Sequence, residues 1–220
     1  MARPGAPIQT AGNDAPGFSG KLPARGDFLV RRIPPRFAPA WDEWLECLVS
    51  APRARLGGGW RDAWYEAPVW HFALGPGLLA PGRGFGVLIP SVDRVGRVFP
   101  FSILGPARAG GMPLAAWALR IEALALGALA DGADPERLDD NLRALGPPAE
   151  PESGACDDAA WPAPLAARAA ALRSGQSLWW CRGSPRVPAA AIGCGFPPGP
   201  AIAAAMMAGP ASEGGEAGGQ

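Results

Sequence analysis

At 220 residues, with 48% hydrophobic side chains and nine tryptophans, the chain has material for one large core. No run of about 18 apolar residues is free of charges and breakers, which excludes a transmembrane helix, and the leading MARPGAPIQTAGNDAPG lacks the apolar stretch of a signal peptide. The formal net charge is zero but divided: residues 17–108 carry twelve basic and seven acidic side chains and residues 109–220 carry seven and twelve, which suits a two-faced protein-binding surface and is too weak for a nucleic-acid binder.

Residues 1–16, rich in Pro, Gly and small side chains, predict a disordered lead. Phe18, Gly20 and Leu22 then alternate with Ser19 and Lys21, predicting a short strand that Pro23 stops. Residues 24–28 form a turn bearing Arg25 and Asp27, and 29–32 extend from it. Pro34 and Pro35 open the first helix, where a missing N–H costs nothing. Phe37, Trp41, Trp44, Leu45, Leu48 and Val49 make its apolar stripe, with a weak point at Pro52 and an end at Gly57-Gly58-Gly59. A short helix or turn over 60–64 precedes a strand over 69–74 and a Gly/Pro loop over 75–84.

The stretch from 87 to 100, VLIPSVDRVGRVFP, reads as a hairpin with arms near 85–91 and 97–104 and Asp93, Arg94 and Arg97 at its tip. Helices follow over 114–130 and 135–145, the second capped by Asp134. A Pro/acid-rich loop (146–163), a helix (164–173), strands at 177–181 and 189–193, a last helix (199–208) and a tail (209–220) complete the chain. There are no internal repeats. Hairpins outnumber βαβ units, so the expectation is one α/β (α+β) domain over 17–208, with a mostly antiparallel sheet flanked by helices.

Catalytic chemistry finds little to use. His71 is the one histidine, set between Trp70 and Phe72 in a strand, and reads as a packed or hydrogen-bonded core residue ahead of a base. Cys47, Cys156, Cys181 and Cys194 are scattered, with no metal-ligand spacing, which fits free thiols in a reducing cytoplasm. Gly20-Lys21 is followed by Leu22 and position 15 is Ala, so the phosphate-loop pattern fails; Gly82-Arg83-Gly84-Phe85-Gly86 leads into a strand, not a helix. Asp27, Glu66 and Asp93 could converge with Arg25, Arg94 and Arg97. The structural reading, in which Asp93 pins the turn, stands ahead of a partner-binding surface, and chemistry on the cluster comes last.

The stretches GFSGKLPARGDF (17–28), WDEWL (41–45), PVWHFAL (68–74), GVLIPSVDRVGRVFP (86–100) and SLWWCRGS (177–184) resemble the TagF (ImpM) family of type VI secretion-associated proteins, in order over about 17–205. The resemblance implies an αβα sandwich and a non-enzymatic cytoplasmic accessory factor without cofactor or metal. Such a factor represses secretion after translation by acting on a forkhead-associated scaffold protein of the apparatus. It further implies a stand-alone domain without the phosphatase fused to some relatives, no membrane insertion and no nucleic-acid partner. It assigns no catalytic residues; Arg25, Asp27, Asp93, Arg94 and Arg97 are its structural or partner-binding signature positions. Two rivals remain: a nucleotide- or phosphoester-responsive domain or enzyme built on Asp93, Arg94 and Arg97, and a structural component of the secretion machine.

Overall fold

The computed structural model describes residues 14–151 and 163–210, so Cys156 and most of the expected 146–163 loop lie outside the described residues. Seven strands form one sheet: β1 (Gly17–Gly20), β2 (Leu29–Arg31), β3 (Trp70–Leu74), β4 (Gly84–Ile89), β5 (Phe101–Pro106), β6 (Gln176–Cys181) and β7 (Ala190–Gly195). They lie in the order β2-β1-β5-β4-β3-β6-β7, and every neighbouring pair is antiparallel. The antiparallel expectation is met. The order itself comes from non-local pairing, with β1 crossing to β5 in the register Gly20↔Phe101.

Among the described residues six α-helices cover the two faces. On one side α1 (Ala38–Leu56), α2 (Trp60–Glu66) and α6 (Pro200–Ala208) bury Trp41, Trp44, Leu48, Trp64 and Met206 against Trp70, Phe72, Leu88, Leu104 and Trp179 of the sheet. On the other, α3 (Leu114–Ala128), α4 (Pro135–Leu145) and α5 (Ala163–Ala170) set Trp117, Ile121, Leu142 and Ala169 against Phe85, Val87, Ile103 and Leu178. Alternate residues of one strand therefore feed two cores, giving an αβα sandwich whose inner strands are buried on both faces. Gly86 permits this closeness, because a Cβ there would collide with the Phe72 ring and the Ile103 carbonyl.

One local expectation changes, at the start of α1. The first helix begins at Ala38, not at Pro34-Pro35: the residue before a proline is driven out of helical geometry, so Pro34 starts a turn whose carbonyl accepts from Phe37 and Ala38. The helix ends at Leu56 with Gly57 as its C-cap, as expected, and Pro52 stays inside it, since the buried Trp41, Trp44, Leu45 and Leu48 stripe holds the helix while one backbone bond is forgone. Lys21, directly after β1, is buried at 7% exposure. Asp14–Pro16 precede β1 and are held by Arg108 and Arg32: Arg108 Nη2 donates to Asp14 Oδ1 at 2.8 Å and Arg32 Nη2 to the Pro16 carbonyl at 2.7 Å. Among the described residues no helix is long and apolar enough to cross a membrane.

Candidate functional site

Between β4 and β5 the chain folds back through residues 90–100. A bridge between Val92 and Val98 narrows the turn, Asp93 N–H donates to the Arg97 carbonyl (3.0 Å), and Gly96 N–H donates to the Asp93 carbonyl (2.9 Å). Gly96 has φ of 80°, a left-handed conformation that suits glycine. The Asp93 carboxylate, in a residue 2% exposed, fills the turn from inside. Oδ1 accepts from Val95 N–H (3.0 Å) and Arg97 N–H (2.8 Å), while Oδ2 accepts from Arg97 Nε (2.6 Å) and Lys21 Nζ (3.0 Å). Burial alone would raise its pKa. The Arg97 N–H, the Lys21 ammonium, the Arg97 guanidinium and the Val95 N–H outweigh it and hold the carboxyl well below the usual carboxylate range.

The segment after β1 completes this corner. Gly20, at φ of 130°, lets the chain pass where a Cβ would fall on the Pro100 carbonyl, and Lys21 turns inward directly after it. Ser91 Oγ donates to the Lys21 carbonyl (2.7 Å), and Trp64 Nε1 donates to the Ser91 carbonyl (3.1 Å). Arg94 N–H donates to the Arg25 carbonyl (3.0 Å) and Arg97 Nη2 to the Gly26 carbonyl (2.7 Å). The Lys21 ammonium sits 4.9 Å from the centre of the Phe28 ring, which meets Phe99 edge-on at 4.7 Å. These contacts tie the two loops to each other.

The five signature positions all lie on this corner in two kinds of place. Asp93 and Arg97 are spent on the turn and on the Gly26 carbonyl. Arg25, Asp27 and Arg94 are exposed, and their side chains make no hydrogen bond or ion pair among the described residues. Val95 and Phe28 beside them are 67% and 56% exposed. Glu66 does not join the cluster: at the end of α2 it takes Arg186 Nε at 2.5 Å. Lys21 is the residue that sequence reasoning missed. Its signal was a lysine in an otherwise strand-like apolar alternation, a position that must be exposed or paired. Next to the corner a groove of about 360 Å³ runs past Pro23, Tyr65, Pro90, Val92, Leu126 and Leu129.

A second buried cluster joins β3 to α3. His71, stacked on Trp180, donates from Nε2 to Glu122 Oε2 of α3 at 2.7 Å, and Arg182 closes on the other carboxylate oxygen. The His71 hydrogen bond is the largest influence on Glu122; with Arg182 it outweighs burial and lowers the carboxyl pKa. His71 thus braces α3 to the sheet. Lys21 is engaged by Asp93, not by an open glycine loop, and Gly84 opens β4. Arg83 grips the carbonyls of Ala169 and Ala170 at the end of α5, where a cation complements the helix dipole. Cys47, Cys181 and Cys194 are free, and among the described residues no group of three His, Cys, Asp or Glu could hold a metal.

The family model of the TagF N-terminal domain, type VI secretion system-associated, matches residues 17–145. The crystal structure of PA0076 from Pseudomonas aeruginosa PAO1 superposes with a TM-score of 0.71 at 34% sequence identity, covering 90% of this chain and 96% of that one. No curated protein matches the chain.

Proposed function

The chain belongs to the TagF family of type VI secretion-associated proteins, and from that premise we propose that it is a regulatory binding module. It restrains secretion after translation by engaging a forkhead-associated scaffold protein of the apparatus through the hairpin corner. The observation that supports this reading is the contrast within the corner itself. Asp93, Lys21 and Arg97 are locked by hydrogen bonds to one another, while the side chains of Arg25 and Arg94 beside them are exposed with no partner among the described residues. A preformed surface loses little conformational freedom on association, and arginine beside exposed apolar groups is a favoured interface anchor. The adjacent groove offers an apolar partner side chain somewhere to insert.

The test is a pull-down from the native host with the wild-type chain and with Arg25→Ala/Arg94→Ala, alongside secretion of the apparatus's tube protein. The reading expects capture of the scaffold by the wild type, loss of capture by the folded variant, raised secretion on deletion and lowered secretion on overexpression. Unchanged secretion in both strains overturns it. So does a nucleotide-induced rise in melting temperature that disappears in Arg94→Ala, which would move the corner to phosphoester chemistry.

A further inference from the structure

The two edges of the sheet are finished differently. β2 is three residues long, carries Arg31, and runs into Arg32 at φ of 53°, a left-handed residue that stops further pairing. β7 at the far edge is six residues, Ala-Ala-Ile-Gly-Cys-Gly, with no charge, proline or break. Edge strands of soluble proteins normally carry one of those devices, because a bare edge is a template for another strand.

The pairing pattern says which groups are bare. Phe196 N–H donates to the Gly175 carbonyl, which extends the β6–β7 ladder by one pair. Antiparallel pairs alternate, so Cys194, Ile192 and Ala190 spend their N–H and C=O on Ser177, Trp179 and Cys181. Ala191, Gly193 and Gly195 turn theirs outward. All three are exposed, and apart from a 3.4 Å contact of Ser177 Oγ with the Gly195 carbonyl, nothing among the described residues meets them.

Charge selects the occupant. From 163 to 210 the chain holds Arg168, Arg173, Arg182 and Arg186 and no acidic residue. Arg182 and Arg186 are neutralised by Glu122 and Glu66, whereas the Arg168 and Arg173 side chains have no ion-pair partner among the described residues. The Arg168 guanidinium lies over the bare face of the edge, 3.4 Å from where a Cβ on Gly193 would sit. On the other face Ile192, Cys194 and Ile202 are half-buried and apolar. A strand laid along this edge meets a cation on one face and an apolar strip on the other.

We propose that the β7 edge takes an extended acidic segment of a partner protein as an eighth strand, its backbone pairing with Ala191, Gly193 and Gly195, its carboxylates facing Arg168 and its alternate apolar residues covering Ile192. A second copy of the chain suits the edge poorly, because antiparallel self-pairing about the middle of β7 brings two Arg168 guanidiniums together. This surface is separate from the hairpin corner, so its failure leaves the scaffold reading untouched.

The probes are two capped ten-residue peptides of alternating Val-Glu and Val-Lys, added to the full chain while amide exchange is followed by NMR. The proposal expects the Glu peptide to slow exchange at Ala191, Gly193 and Gly195 by tenfold or more and the Lys peptide to leave it unchanged. Arg168→Glu should reverse that preference. Ala191→Pro removes an outward N–H without touching the β6 ladder, so it should abolish protection at an unchanged melting temperature. A Glu peptide N-methylated at its Glu residues, whose N–H groups face β7 in this pose, must also fail, a control that does not depend on any protein variant folding. Equal protection by both peptides, or none by either, overturns the proposal. So does protection already present without peptide, whether from dimerisation or from the chain's own 152–162 segment.

Discussion

Two buried carboxylates flank the same sheet, Asp93 in the β4–β5 turn and Glu122 on α3, and are wired in opposite ways. Asp93 takes two of its four hydrogen bonds from backbone N–H groups within its own turn, and the other two from Arg97 and Lys21. Glu122 takes its partners entirely from side chains, His71 of β3 and Arg182 just beyond β6. Backbone wiring fixes the shape of a loop, because the donors cannot move without unfolding the turn. Side-chain wiring fixes the distance between a helix and a sheet and can re-form by rotation. Losing the first should cost the corner its geometry, whereas losing the second should only loosen α3.

The largest effect should come from Asp93→Ala. It strands the Lys21 ammonium, whose side chain is 8% exposed, and unties two backbone donors, so urea unfolding should report a loss of about 3–5 kcal/mol. Adding Lys21→Met should return part of that loss, since the orphaned charge disappears with it. A loss under about 1 kcal/mol for the single variant would put the two carboxylates on the same footing and break the contrast.

Glu122→Gln comes next, at about 1–2 kcal/mol, because a neutral amide still accepts from His71 while Arg182, 64% exposed, turns to water. Both carboxylates are depressed in the folded state, so both stabilise the fold above the ordinary carboxylate range, about pH 4, and their contributions fade as pH falls through the lower folded values. Stability measured from pH 6 down to pH 2 should therefore decline in the wild type. The decline should flatten more in Asp93→Asn than in Glu122→Gln, because more hydrogen bonds hold Asp93. Equal flattening would say that wiring does not matter.

How much of this was legible follows the same division. The Asp93 turn, the Asp134 cap, the Trp41/Trp44 stripe and the structural role of His71 are local patterns, written in spacing and turn chemistry. The Lys21–Asp93 pair spans 72 positions and His71–Glu122 spans 51, and neither has a local periodicity to betray it. Both depend on strand order, and β1 reaches β5 past β2, β3 and β4. Glu66 illustrates the converse error. Acid and arginine counts made it a plausible partner for the tip, but α2 points it at Arg186, 120 residues away.

The smallest expected effect is on Arg94 and Arg25, and it separates the corner's mount from its display. Each side chain is exposed and has no partner among the described residues, so Arg94→Ala and Arg25→Ala should change unfolding free energy by no more than about 0.5 kcal/mol each. The Arg94 N–H bond to the Arg25 carbonyl is made by backbone and survives both substitutions. Arg97→Ala is the control on the same tip: its guanidinium binds Asp93 and the Gly26 carbonyl, so it should cost more than either. A cost for Arg94→Ala equal to that of Arg97→Ala would make the whole tip a brace and remove the reason to regard Arg94 as a free anchor. A negligible cost leaves a charge that the fold does not use, held rigidly at the surface by residues that it does use.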